Sequence, residues 1–147
     1  MERAVRDVLK ALTPTTMSIV CVLVAMLAAA VALPAGWQPA EIAKQNTIKL
    51  RTTGPQEGEH WFPVWVVVLD DQVYVRLGSR AATRAEQNTT APYLGVEVGG
   101  QRFDKVRAVP APESAERVGA AMASKYWSDI LVRYMSHPLT LRLVPGE

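Results

Sequence analysis

Two arginines four residues apart, Arg80 and Arg84, follow a Gly78-Ser79 pair and open a run of good helix formers, Ala81 to Gln87. On a helix that spacing puts both guanidinium groups on one face. Ser79 stands where an N-cap hydroxyl belongs. Like charges at this spacing cost a helix about 0.2–0.5 kcal/mol, and cations in the first turn oppose the helix dipole. No carboxylate lies four positions from either arginine, because positions 76 and 84 are Arg and position 88 is Asn. A bound anion would remove both penalties. Free helix amides, a serine hydroxyl and two guanidinium groups are the chemistry of a phosphate site. A solvated basic surface has the same residue pattern, and local physics does not separate the two readings. No catalytic residue can be named, since no Asp, Glu or His stands in an adjacent pair. His60 and His137 are far apart in the chain, with no CxxC or HExxH pattern, so no metal site is expected.

The elements that must position this helix are strands. Trp61 to Leu69 is almost wholly apolar and rich in Val and Trp, the composition of a strand buried on both faces. Asp70-Asp71 marks a turn. Val73, Val75 and Leu77 then alternate with Tyr74 and Arg76, the period of a half-buried strand. Before them, Ile48 to Thr53 is a strand joined through the Gly54 to Gly58 turn. Pro63 has no N–H, so it implies an edge or a bulge within its strand. After the helix, Leu94 to Val98 and Gln101 to Val109 make a hairpin about Gly99-Gly100. A last helix begins near Pro110 to Glu113 and carries Ala115, Val118, Met122 and Tyr126 on one face. Within Lys125-Tyr126-Trp127, core packing is favoured over contact with a cofactor or partner. His137-Pro138 breaks the chain, and Leu139, Leu141 and Leu143 alternate as a final strand that closes a barrel.

The order of these motifs resembles the flavin-binding split β-barrel superfamily, which includes pyridoxamine 5′-phosphate oxidase-like and deazaflavin-dependent nitroreductase-like proteins. The motifs are Leu50-Arg51-Thr52-Thr53, Pro63-Val64-Trp65, Val73 to Leu77 and Gly78-Ser79-Arg80, and the likeness runs from about Ile48 to Val144. It implies a small antiparallel split β-barrel, mainly β with α, that binds FMN or a deazaflavin and forms a homodimer. Carried over by residue, it implies that Ser79, Arg80 and Arg84 hold a phosphate. Arg51, Thr52 and Thr53 would support the phosphate or the ring, and Pro63, Val64 and Trp65 the ring face. The family commonly has Lys after the Ser-Arg pair; this chain has Ala81, so Arg84 is the expected substitute.

A chain of 147 residues with net charge +2 bounds the rest. The length suits one domain, and the charge is too small to argue for nucleic acid. Cys21 is single, so no internal disulfide exists. Residues 1–16 are a polar N-terminal segment. Thr15 to Ala35 carries no charge, and Met17 to Leu33 is apolar except for Ser18. At 1.5 Å per residue it approaches a hydrocarbon core about 30 Å thick. Residues 17–35 are therefore expected to be a single transmembrane helix; a cleaved signal peptide ending near Ala30-Val31-Ala32 and a buried soluble helix are the alternatives. Basic residues ahead of it place the barrel outside the cytoplasm. Residues 36–47 read as a linker, with Trp37 either an interfacial anchor or simple packing, and Ala40 to Gln45 as a short helix. Residues 48–147 read as the barrel. Asn88-Thr89-Thr90 matches a glycosylation sequon.

The function implied is a membrane-tethered flavin-type oxidoreductase domain, with its substrate and reductant unassigned. The alternative is a non-catalytic barrel, without cofactor, that binds a partner at the membrane.

Overall fold

The computed structural model describes residues 36–126 and 139–146. The expected membrane segment, Cys21, and the stretch from Trp127 to Pro138 lie outside them. Among the described residues no helix is long and apolar enough to cross a membrane.

A short helix α1 (Pro39–Ala43) leads into β1 (Thr47–Gly54), β2 (Gly58–Leu69) and β3 (Gln72–Leu77). Helix α2 (Ser79–Glu86) follows, then β4 (Tyr93–Val98) and β5 (Gln101–Pro110). A 3₁₀ turn (Pro112–Ser114) precedes α3 (Ala115–Lys125), and β6 (Leu139–Pro145) ends the chain's regular structure. All neighbouring strands are antiparallel and close a barrel in the order β1-β2-β3-β6-β5-β4. The expected final strand does close it, pairing β3 on one side and β5 on the other.

Alternation builds the interior. Ile48 and Leu50, Val64 and Val66, Val73, Val75 and Leu77, Leu94, Val96 and Val98, Val106, and Leu141 and Leu143 fill one cluster. Each such side chain contributes about 1.5–3 kcal/mol by leaving water. Outside the barrel, α3 lays Val118 and Met122 over Val67 and Tyr74, and Ala111 completes that second cluster. The turns obey backbone chemistry. Asp70 and Asp71 both have positive φ, 50° and 57°, and join β2 to β3 in two residues; Gly99 and Gly100, at 56° and 81°, do the same for β4 and β5.

Four expectations need correction. Trp37 is no interfacial anchor. It is 2% exposed inside the barrel cluster and meets Phe103 edge-on, ring centroids 5.1 Å apart. Gly36, at φ 92°, turns the chain beside Gln101 to deliver it. With Ile42 also buried, the stretch expected as a linker supplies two core side chains. Ser79 is not the cap: the helix starts at Ser79, Gly78 is the capping residue, and no side chain caps it. Pro110 ends β5, so the last helix starts at Ala115. Finally, β2 is buried on both faces only in its second half; Trp61, Phe62 and Trp65 are half-buried and Pro63 is exposed.

That last difference opens the site. Residues 58–65 of β2 pair with β1, whereas only Val66–Leu69 pair with β3. Among the described strands, the first half of β2 therefore has a neighbour on one side only. Pro63 sits in that half, where its missing N–H breaks no ladder. β3 ends at Leu77 and the chain turns away into α2, leaving a gap in the wall.

Candidate functional site

A cleft of about 310 Å³ occupies this gap, lined by Thr47, Pro63, Val64, Trp65, Arg76, Gly78 and Ala81. It joins two motifs that the sequence holds apart: Pro63-Val64-Trp65 forms one wall, and the turn into α2 forms the other. The first helical bond of α2 runs from Ala82 N–H to Gly78 C=O at 2.9 Å. The amides of Ser79, Arg80 and Ala81 lie ahead of it, without intrahelical acceptors. Ser79 and Arg80 are exposed at this end.

One wall is fixed from behind. The ammonium of Lys125 donates to the carbonyls of Ala43 (3.1 Å), Val66 (2.9 Å) and Gln45. The Tyr126 hydroxyl sits between the carbonyls of Asn46 and Val66 and accepts from the Val66 N–H at 3.3 Å. The Tyr126 ring packs on Trp65, centroids 5.6 Å apart. Burial pushes the Lys125 amine below its usual range and the Tyr126 phenol above its own. Lys125 and Tyr126 are thus packing groups that hold the α1–β1 corner, and with it Thr47, against Trp65.

The expected phosphate set separates in space. Arg84, the expected substitute for the missing lysine, is paired with a carboxylate. Its Nε and Nη2 donate to the two carboxylate oxygens of Glu57, at 3.2 and 2.9 Å, in the β1–β2 turn. That pairing lowers the Glu57 carboxyl below the ordinary carboxylate range and raises the Arg84 guanidinium. The neutraliser missing at helical spacing is a residue 27 positions away, which no local pattern could show. Arg51 lies on the outer face between Glu59 (3.3 Å) and Asp104 (3.0 Å). Its guanidinium lies 5.5 Å over the Trp61 ring, with Arg102 at 5.2 Å over the same ring. Thr52 is buried in the barrel, and Thr53 is tied to the chain after α2: its N–H donates to Asn88 Oδ1 at 2.9 Å and its carbonyl accepts from Thr89 N–H at 2.8 Å. Of the nine expected residues, Pro63, Val64 and Trp65 line the cleft and Ser79 and Arg80 stand at its α2 side, whereas Arg51, Thr52, Thr53 and Arg84 are engaged elsewhere.

Arg76 is the residue that sequence reasoning passed over. It alternates outward on β3 and lines the cleft, yet its Nε is buried with no hydrogen-bond partner among the described residues. The sequence showed a strand position with polar alternation and nothing more. The signal was the Arg76/Trp65 juxtaposition, which depends on β2–β3 register. Among the described residues no group of three His, Cys, Asp or Glu is placed to hold a metal ion.

No protein-family model and no curated protein matches the chain. Solved structures do. HutZ, the haem storage protein of Vibrio cholerae, aligns at TM-score 0.53 and 17% identity, over 74% of this chain and 87% of that one. An F420-H2 dependent reductase, FDR-A, aligns at TM-score 0.50 and 13% identity, over 67% and 94%. A putative pyridoxamine 5′-phosphate oxidase from Listeria innocua aligns at TM-score 0.50 and 12% identity, over 74% and 90%. With its closed six-stranded antiparallel barrel, the chain shares the fold of these proteins.

Proposed function

We propose that this chain is a membrane-tethered split-barrel protein that holds FMN or a deazaflavin against the Pro63-Val64-Trp65 wall and serves as an oxidoreductase domain. The observation that carries this reading is the cleft itself. An apolar wall stands opposite a helix end with three amides ahead of the first helical bond, and Arg76, whose Nε has no partner among the described residues, lies between them. These are the features a flat heterocycle with an anionic tail requires. At about 310 Å³ the cleft is at the low end for a ligand site, so a second protomer would complete it, in keeping with the homodimer the resemblance implies. A bound flavin would supply the hydride chemistry. The chain's residues bind and orient it: Trp65, held by Tyr126 from behind, presents the ring face, and Ser79, Arg80 and the α2 amides meet the phosphate. The tether rests on the uncharged run Met17 to Leu33.

The test is direct. FMN and deazaflavin are titrated into the purified chain, with Arg80→Ala and Arg84→Ala alongside. Arg80→Ala should weaken binding about ten-fold or more, the loss of one charge-assisted contact. Arg84→Ala should change binding little, because its partner is Glu57. A chain that binds neither compound at millimolar concentration is no flavoprotein. The non-catalytic barrel then leads, a reading favoured by Ala81, which puts a methyl group where the family has a lysine. For the tether, carbonate washing should leave the full chain in the membrane fraction; release, or a mature N-terminus near Leu33, would exclude it.

A further inference from the structure

Three buried side-chain polar atoms among the described residues have no hydrogen-bond partner: Arg76 Nε, Thr140 Oγ1 and Arg142 Nε. They are neighbours. Val73, Val75 and Leu77 of β3 and Leu141 and Leu143 of β6 point into the barrel. Arg76, Thr140 and Arg142 therefore share the outer face. Register sets Arg76 opposite Thr140, and Tyr74 opposite Arg142. Directly opposed side chains start about 5 Å apart and diagonal ones about 7–8 Å apart, within reach of two arginines.

Among the described residues the cluster contains two positive charges and no negative one. Arg51, Arg84, Arg102 and Arg117 all have carboxylate partners, but neither Arg76 nor Arg142 has one among the described residues. Guanidinium cannot shed its proton to escape the cost of burial. Thr140, only 5% exposed, leaves a hydroxyl that can donate. Helix α3 makes room over this face: a Cβ on Gly119 would come within 3.0 Å of Arg76 Nη1. A mid-helix glycine is itself unfavourable relative to alanine, so the space is kept at a cost. Arg76 also lines the cleft beside Trp65 and Gly78, which puts one member of the cluster at its wall.

We propose that Arg76, Thr140 and Arg142 form an oxyanion site, entered through the cleft at Trp65, that takes a phosphate or carboxylate group. Two guanidinium groups and one hydroxyl match the acceptor oxygens of such a group. It deepens the cofactor reading, because the anion would belong to the molecule in the cleft: either the phosphate of a mononucleotide cofactor, which these residues would share with Ser79, Arg80 and the α2 amides, or the carboxylate of an acidic substrate.

The experiment uses the full chain in detergent and four probes: FMN, riboflavin, inorganic phosphate and succinate. Binding is measured by calorimetry and by melting shift for wild type, Arg76→Gln, Arg76→Lys, Arg142→Gln and Thr140→Val. The expected result is that wild type is stabilised by at least one anion, and that Arg76→Gln and Arg142→Gln each weaken that anion ten-fold or more. Without ligand, both variants should melt no lower than wild type, since each removes an uncompensated charge. Thr140→Val, nearly isosteric, should weaken the anion while the ligand-free melt stays level or rises, since an unsatisfied buried hydroxyl is removed; Arg76→Lys should recover part of the affinity that Arg76→Gln loses. If FMN weakens ten-fold and riboflavin less than two-fold, the phosphate source is established. If succinate weakens while FMN and riboflavin do not, the substrate carboxylate is. A chain that binds phosphate or succinate through these residues but no flavin keeps the anion site and removes the cofactor reading. The proposal is overturned if no anion binds wild type, or if the variants bind anions as wild type does.

Discussion

Trp37 offers the sharpest test of where the folded unit begins. The residue pattern placed Trp37 in a linker of residues 36–47 ahead of the barrel, but the indole is 2% exposed in the barrel cluster and packed edge-on against Phe103. Replacing a buried Trp by Ala costs about 3–5 kcal/mol through lost transfer energy and the cavity left behind. Part of that is the aromatic pair, about 0.5–1.5 kcal/mol beyond burial. Total stability is about 5–15 kcal/mol for a domain, so the loss removes a large fraction. At about 4 °C per kcal/mol for a domain of this size, Tm should fall by roughly 12–20 °C. The assay compares thermal and urea melts of residues 33–147, the same span with Trp37→Ala, and residues 40–147. The latter two should be similarly destabilised, and Trp37→Phe should lie between them and wild type. A 40–147 chain melting within about 3 °C of 33–147, a shift worth less than 1 kcal/mol, would refute the reasoning and show that Trp37 adds nothing to the fold.

Asn88→Ala should cost about 1–3 kcal/mol in a urea melt, because it strands the half-buried Thr53 N–H, which donates to Asn88 Oδ1 at 2.9 Å, while the Tyr93 carbonyl keeps the Thr90 hydroxyl. The same burial, 6% exposed with Nδ2 engaged, leaves no room for a glycan, and intact mass should show none on the folded chain. Lys125→Met should lower stability by about 1–3 kcal/mol and loosen Thr47 from Trp65, weakening whatever binds the cleft; unchanged stability and binding would show the three carbonyl contacts to be incidental. Acid should weaken the fold. Glu57 and Glu97 have carboxyls lowered by hydrogen bonds, from Arg84 and from Lys49 and Arg102 respectively. Their contribution is present above the ordinary value of 4.5 and is lost as pH falls through the lower folded value. Melts at pH 7 and pH 3 should differ less for Glu57→Gln than for wild type.

Strand positions were legible because side chains facing a core must alternate or run apolar. All six strands and the three hairpin turns could be read from that and from the turn residues, and Pro63 correctly marked a strand segment lacking a second neighbour among the described strands. What could not be read is what depends on closure. Trp37 precedes the first strand and looks like linker until a barrel exists to receive it. Arg84 looks unneutralised until the β1–β2 turn brings Glu57 to it. Arg51 sits in the motif of a ligand-supporting strand, yet its partners Glu59 and Asp104 lie on strands whose register the sequence does not announce. The cleft was half legible: the motif residues named its walls, but Arg76 entered only through the β2–β3 pairing.

A closed barrel has no free strand edge, and that protects it from pairing with other chains. This one gives up part of the protection to gain its opening. Between Gly58 and Trp65, β2 has a neighbour on one side only among the described strands. A half-apolar edge with Trp61 and Phe62, single-sided among the described strands, is the kind of surface that nucleates intermolecular sheets. Pro63, placed in its middle, has no N–H to offer an incoming strand and interrupts any ladder built on it. One residue therefore both borders the cleft and guards the edge that the cleft exposes. Pro63→Val would complete a stretch of β-formers from Trp61 to Leu69, and aggregation rate, more than melting temperature, is the property it should change.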